Sequence, residues 1–296
     1  MTSLPPDGLH RDVPAPIYHA WPLPSSTLLN EMWKHSPAHA MRRRSEPLNT
    51  DSLRIGTAVH LLVLEGEDAF LSRFAVGGPV NPKTNKPYGS DTDKFAEWAA
   101  EMRQAGRECI TTTEADSVRG MARSIAEHPA AYAHLEASSA DRELSGIFRP
   151  FGDSKLRCKF RLDGYAESFA AIVDLKTTQS ANYWDLRRTV PQYGYHRQAA
   201  LYLRGARACG LEAEHFVFLW VEKEPPHAVA VSELDLPDIE AGERQVEELL
   251  RRWDECDERG EWPGYDEECF TLSLAQWVRE ETYAQRSGTL DIGGMW

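Results

Sequence analysis

From Lys155 to Asp163 polar and apolar residues alternate without a break. Lys155, Arg157, Lys159, Arg161 and Asp163 share one face, and Leu156, Cys158, Phe160 and Leu162 share the other. A period of two predicts a β-strand, because successive strand side chains point to opposite faces. A second strand is predicted over Phe169–Lys176, where the run AAIVDL is apolar enough for a central, buried position. Asp174 and Lys176 stand two apart at its end and share a face. The two strands read as a hairpin centred on the Ser168–Phe169 bond. A tight turn there sets Asp163 opposite Asp174, with Cβ atoms roughly 4.5–5.5 Å apart.

Before the hairpin the pattern is mostly helical. Ser25-Ser26-Thr27 caps a short helix through LLNEMW, and Ser36-Pro37-Ala38 opens another that ends in Met41-Arg42-Arg43-Arg44. The stretch Ile55–Phe74 predicts one helix, with His60 inside its apolar pattern. Residues 77–93 are rich in Gly, Pro and polar residues and predict a long loop, made basic by Lys83 and Lys86. Helices are predicted near Thr92–Ala105 and Thr113–Leu135, and a strand over Arg142–Pro150 that carries Glu143. After the hairpin, helices are predicted over Ala181–Thr189 and Tyr193–Cys209. Gln198 and Tyr202 are i,i+4 on the latter and share a face. His215–Glu222 and Ala228–Glu233 read as strands, and Asp238–Glu258 as a long acidic helix. Residues 1–24 are proline-rich and read as irregular, 25–280 as one domain, and 281–296 as a tail.

Charge changes the picture only when it is located. The 296-residue chain has a formal net charge of −13. Residues 210–281 carry 21 acidic and 6 basic side chains, whereas residues 1–209 carry 24 and 26. The acidity belongs to the C-terminal quarter, and a basic face elsewhere can still steer a polyanion. No apolar run is long enough to span a membrane, and the N-terminus lacks the basic and apolar regions of a signal peptide. Five scattered cysteines without a CxxC pair argue against a zinc or iron–sulfur site and for a reducing, cytoplasmic setting.

The candidate chemistry lies at the hairpin. Two facing carboxylates repel, and burial sharpens the repulsion. A divalent cation between them reverses its sign, and hard oxygen ligands suit Mg²⁺ or Mn²⁺. Lys176, one pleat beyond Asp174, is placed to hold an attacking water or an anionic oxygen. Glu143 adds a third carboxylate if its strand lies beside Asp163. The row Lys155, Arg157, Lys159 and Arg161 reads as a phosphate track toward Asp163, with Arg43, Arg44, Lys83 and Lys86 as further phosphate contacts. Alanine at two of the row positions is then expected to weaken binding of a phosphate polyanion and flatten its salt dependence.

The pattern D–x10–DxK, with an apolar strand before the second Asp, resembles the PD-(D/E)XK nuclease superfamily. The whole order of motifs resembles its exodeoxyribonuclease VIII-type (RecE-like) members. The matching pieces are Ser36-Pro37-Ala38, Gly56-Thr57-Ala58-Val59-His60, the loop with Lys83 and Lys86, Glu143, and Arg161-Leu162-Asp163. They continue with Val173-Asp174-Leu175-Lys176-Thr177-Thr178 and the run from Tyr193 to Tyr202, which holds a Gln-x-x-x-Tyr motif like that of RecB-like nucleases. The proline of the usual "PD" element is replaced by Leu162.

The resemblance implies an α/β fold with a central mixed β-sheet flanked by helices and a helical N-terminal elaboration. It implies metal ligation by His60, Asp163, Asp174 and the Leu175 carbonyl, with Glu143 as a softer addition. It implies catalysis by Lys176, and orientation of the site and DNA contact by Gln198 and Tyr202. The implied activity is Mg²⁺-dependent exonuclease action on double-stranded DNA ends, 5′ to 3′, leaving 3′ single strands for recombination. The implied partners are a single-strand annealing protein and further copies of the chain in a ring. Two other readings fit the same residues. One is a DNA-binding or assembly protein that has lost its chemistry. The other is a RecB-like nuclease acting on single strands, flaps or internal sites.

Overall fold

The computed structural model describes residues 4–46, 48, 50–152, 155–265, 269 and 271–280. The predicted 281–296 tail lies outside them. The proline-rich opening, expected to be irregular, instead forms a strand, β1 (Gly8–His10), and a helix, α1 (Ala15–Ala20). Two helices follow, α2 (Ser26–Lys34), which Ser25 precedes without a side-chain cap bond, and α3 (Pro37–Ser45), capped by the Ser36 hydroxyl accepting from the His39 N–H. The single helix expected over Ile55–Phe74 is broken. It consists of α4 (Asp51–His60), a π-helical turn (Leu61–Glu65) and α5 (Glu67–Arg73). An interruption of this kind inside a helix often accompanies a functional site, and here it follows His60 directly.

The loop region carries three short strands, β2 (Phe74–Val76), β3 (Val80–Asn81) and β4 (Lys86–Pro87). Next come α6 (Asp93–Gln104), β5 (Glu108–Ile110) and α7 (Thr112–Glu127), which starts at a capping box between Thr111 and Glu114. Pro129 ends the long helix predicted there and opens α8 (Pro129–Ala137).

The sheet strands are β6 (Arg142–Phe148), β7 (Cys158–Ala166) and β8 (Ala171–Thr178), followed by α9 (Tyr183–Tyr193) and α10 (Tyr195–Ala208). Gly194, at φ +72, separates those two helices with a left-handed turn that a side chain would resist. The chain continues through β9 (His215–Glu222), β10 (Val229–Glu233), the 24-residue α11 (Leu236–Arg259) and α12 (Gln276–Glu280).

Six strands form one mixed sheet in the order β1-β6-β7-β8-β9-β10. Only β8 and β9 run parallel, joined by the crossover through α9 and α10. Phe160, Leu162, Ile172, Phe218 and Trp220 pack one sheet face against α2, α10 and α11. Val173, Leu175, Val217 and Leu219 pack the other face against α4 and α7. Apolar residues on both faces explain the near-continuous hydrophobic runs of β8 and β9.

The cationic row of the hairpin is covered rather than open. The Lys159 ammonium donates to the carbonyls of Tyr18 (2.9 Å) and Trp21 (2.8 Å), and the residue is only 5% exposed. Burial, with a smaller contribution from Arg44, pulls its pKa down to about 8. Arg157 is held by Asp7 and the Pro5 carbonyl, and Arg161 by Glu143 and the Val13 carbonyl. Lys155 is exposed but, with Arg44 and Arg157, lines a cleft of about 700 Å³ whose opposite wall includes Asp254, Asp257 and Glu258 of α11. The phosphate-track reading is therefore corrected for three of the four: residues 5–24 cover Lys159, Arg157 and Arg161 and take up hydrogen-bond donors of each. Lys159→Ala is expected to destabilise the fold by about 1–3 kcal/mol, because buried carbonyls lose their donor. Urea unfolding measures this, and the salt slope of DNA binding should stay unchanged in the same variant.

Candidate active site

The hairpin register is Ala166↔Ala171, Tyr165↔Ile172 and Gly164↔Val173. Extended by one pair, it brings Asp163 level with Asp174, and there the ladder stops. Asp163 closes the gap with its side chain: Oδ2 accepts the Leu175 backbone N–H at 2.8 Å. Alternation also breaks at this point. Phe160 and Leu162 enter the core under α10, and so does Tyr165, an odd number of residues on. The matching break in β6 is Glu143, which skips its place in the β6–β7 ladder and sits at φ +52. A non-glycine residue in that region is strained, and irregularities of this kind re-aim side chains beside active sites. Here the break sets Glu143 beside Asp163. Burial, then the Asp163 charge, raise the Glu143 pKa, and the Arg161 guanidinium holds the carboxylate.

Helix α4 delivers His60 to the same point. Its Nδ1 lies 2.8 Å from the Gly56 carbonyl, which can only accept, so Nδ1 carries a proton. Its Nε2 is 3.0 Å from Asp163 Oδ2. Burial disfavours the imidazolium, but the charge and hydrogen bond of Asp163 outweigh it and lift the pKa to about 9. Burial likewise works against the Asp163 carboxylate. His60, Lys176 and the Leu175 N–H win, and its pKa is lowered.

Asp174 and Lys176 share the opposite side of β8. Asp174 is 2% exposed; Oδ1 accepts from Gln198 Nε2 at 2.7 Å, and Oδ2 pairs with the Lys176 ammonium. Burial first, and then repulsion from Asp163, push the Asp174 pKa to about 6 against the pull of Lys176. Lys176 is held well above its usual value, because Asp174 and Asp163 outweigh the cost of burying it. The ammonium lies 5.1 Å from the centroid of the Tyr195 ring.

These facts bring His60, Asp163, Asp174, Lys176, Gln198 and Glu143 together. Tyr202 lies one turn below Gln198, 8% exposed, its ring against Phe160 and Phe216 and its hydroxyl 3.5 Å from Ser26 Oγ. Burial pushes its pKa to about 12. Tyr202 thus packs beneath the site, with little of its surface open. Leu175 contributes its backbone N–H to Asp163. Lys83 and Lys86 are exposed at the β3–β4 hairpin, and Arg43 and Arg44 lie in the last turn of α3. Sequence reading overlooked Tyr195. The signal was present, since Tyr195 lies one turn before Gln198 on a helix that Gln198 aims at Asp174.

Among the described residues no three His, Cys, Asp or Glu side chains converge as a ready metal cage. The donor set nevertheless fits a divalent cation. His60 Nε2 and Asp163 Oδ2 are both natural acceptors, and at 3.0 Å they need a proton or a cation between them. Anchoring Nδ1 on a backbone carbonyl is also how metal-binding histidines are commonly oriented. The residues in position to hold the ion are His60 and Asp163; Asp174, which the resemblance adds, has its two oxygens taken by Gln198 and Lys176.

Comparisons with known proteins place the fold. Residues 25–274 match the model of a family described as a PDDEXK-like domain of unknown function (DUF3799). No curated protein matches the chain. A crystal structure from Eubacterium rectale, provisionally described as an exonuclease, is similar over 91% of this chain and 98% of its own, at 14% identity and TM-score 0.59. A phage-related exonuclease structure from Haemophilus somnus covers 69% of this chain and 95% of its own at 11% identity. Its TM-score of 0.30 is too low to carry an argument. No helix among the described residues is long and apolar enough to cross a membrane. With the family model spanning strands β6 to β10, the hairpin carboxylates, Lys176 and Gln198, the chain belongs to the PDDEXK-like domain family.

Proposed function

We propose that the chain is a metal-dependent deoxyribonuclease that hydrolyses phosphodiesters from the ends of linear duplex DNA, 5′ to 3′, leaving 3′ single strands. The observation that carries this reading is the meeting of His60, Asp163, Asp174 and Lys176 at the point where the β7–β8 ladder opens. The exonuclease description of the Eubacterium rectale structure, given the shared fold, supports the same direction. A bound divalent ion would supply positive charge at the scissile phosphate and acidify a water. The chain's own residues do the rest. Lys176 stays protonated through neutral pH, positions a water or a phosphate oxygen, and offsets the charge that develops there. Gln198 fixes the rotamer of Asp174. Gly56 fixes the tautomer of His60 so that Nε2 faces the site. Action as a ring of copies, feeding a single-strand annealing protein in recombination, completes the proposal.

The test is digestion of linear duplex DNA labelled at one 5′-phosphorylated end, with Mg²⁺, Mn²⁺ or EDTA, beside covalently closed circles. Metal-dependent loss of the 5′-ended strand with intact circles supports the proposal. Cut circles move the function to an endonuclease. No cleavage with either metal leaves a DNA-binding protein on this fold.

Metal binding should be pH-dependent. His60 must lose a proton to become a ligand, and its pKa in the ion-free protein is about 9. Apparent affinity for Mn²⁺ should therefore rise about tenfold per pH unit below that value, with proton release on binding. Calorimetry in buffers of different ionisation enthalpy measures both. The His60–Asp163 pair itself has the opposite sign. A pKa raised from about 6.5 in the unfolded chain gives ion-free stability that is full below that pH and lost as pH rises through about 9.

A further inference from the structure

Helix α9 leaves β8 only a few residues after Lys176, and its solvent face is aromatic. Tyr183 and Trp184 are each 65% exposed, and Tyr193 at its far end is 50% exposed. Large rings this open are unusual on a surface and mark an interaction site. Their neighbours are cationic. The Arg187 guanidinium lies 5.8 Å from the Tyr183 centroid and 5.6 Å from that of Trp184. The Lys34 ammonium lies 5.3 Å from the Tyr193 centroid. Among the described residues no carboxylate pairs with Arg187, Arg188 or Lys34.

The far end of the helix adjoins the site. Tyr193 stacks on Tyr195 at 5.7 Å with 21° between the planes, and Tyr195 carries the Lys176 ammonium on its ring. Tyr183 and Trp184 open α9 five residues after the end of β8, the strand that carries Lys176. None of this is used by the hydrolytic chemistry above.

We infer that the Tyr183–Trp184–Arg187 cluster at the start of α9 is a stacking platform for an unpaired DNA strand whose phosphate is presented at Lys176, with Tyr193 and Lys34 as a second ring–cation pair beside the site. The inference rests on the nuclease reading for the strand's destination, and on its own geometry for the binding. Alternating aromatic rings and cations match the alternating bases and phosphates of a single strand. Every base offers a π-face, so such a platform is sequence-tolerant. A paired duplex hides its base faces and offers the rings nothing to stack on. The site would therefore engage frayed or single-stranded ends, and duplex digestion would require the end to open.

The test uses the full chain in EDTA, where binding is separated from cleavage. The probe is a fluorescent oligothymidylate of about 20 nucleotides, read by anisotropy beside a blunt hairpin duplex. Tyr183→Ala/Trp184→Ala should weaken single-strand binding by about tenfold or more, from the usual value of base–aromatic stacking. Duplex affinity should change far less, and Tyr183→Phe/Trp184→Phe should bind like the parent. Arg187→Ala should weaken binding and flatten its salt dependence. Single-strand affinity unchanged by the double alanine substitution overturns the inference, as does an equal loss on both probes or no single-strand affinity in the parent. A parent that sediments as an oligomer, with the double variant a monomer, also overturns it, because the face is then an interface between copies. If single strands bind through these rings but no metal supports cleavage, the platform stands and the nuclease reading falls.

Discussion

Lys176→Ala is expected to lower metal-dependent cleavage of linear duplex DNA by at least about 100- to 1,000-fold, the usual loss when a charge-stabilising donor is removed. The argument is local. Lys176 is held half-buried between the Asp174 carboxylate and the Tyr195 ring, and its charge persists through neutral pH. Alanine removes that charge and also strips the buried Asp174 of its partner, which lowers stability. Lys176→Gln separates the two effects, because the amide still donates to Asp174 but carries no charge. Initial rates should be as low in the Gln variant as in the Ala variant, while its melting temperature stays closer to the parent's. Lys176→Arg should not restore activity, since a planar guanidinium does not reproduce a compact ammonium between a ring and a carboxylate. Cleavage by Lys176→Gln at the parental rate would remove Lys176 from the chemistry.

The largest expected loss of stability comes from Phe160→Ala, about 3–5 kcal/mol in urea unfolding. Phe160 is fully buried in β7, with ring contacts to Phe148 and Tyr202. A Cβ at either Gly146 of β6 or Gly205 of α10 would collide with its ring. Sheet and helix thus close on this one side chain with no atoms to spare, and the hole left by alanine can collapse only if backbone moves. The same ring supports Tyr202, one turn from Gln198. The variant should therefore also lose activity near its melting midpoint, before the fold is lost. A cost below about 1 kcal/mol would mean that the two elements relax into the space.

Much of the site is legible in the amino-acid sequence. Counting residues about the Ser168–Phe169 bond predicts the register that sets Asp163 level with Asp174, because a strand period of two leaves no freedom once the turn is placed. The boundaries of β9 and the cap of α7 are legible for the same reason: each depends on neighbours within a few residues. Helix lengths are less legible. The pattern predicts one helix where α4, the π-helical turn and α5 lie, and one where α7 and α8 lie. Apolar periodicity survives a break that keeps the same face buried, so the pattern alone does not register it.

The cationic row shows the limit most clearly. Lys155, Arg157, Lys159 and Arg161 form a clean basic face in the sequence, yet residues 5–24 supply the carbonyls and the Asp7 carboxylate that occupy three of them. Which cations remain free depends on partners more than a hundred positions away, and no local pattern encodes those. The break at Glu143 and Asp163 is hidden likewise, because left-handed backbone at a glutamate arises from two strands meeting and not from its own preference.

The sequence by itself determined strands β6 to β10, the helix faces and the set of His, Asp, Lys and Gln side chains available for chemistry, since these follow from periodicity and residue type. Tertiary structure alone decided that His60 reaches Asp163, that Gln198 and Lys176 take the two oxygens of Asp174, and that the open cations and rings lie on α9 rather than on the hairpin. Burial and pairing are properties of the packed whole: a charge is free, strained or spent according to what the rest of the chain brings against it.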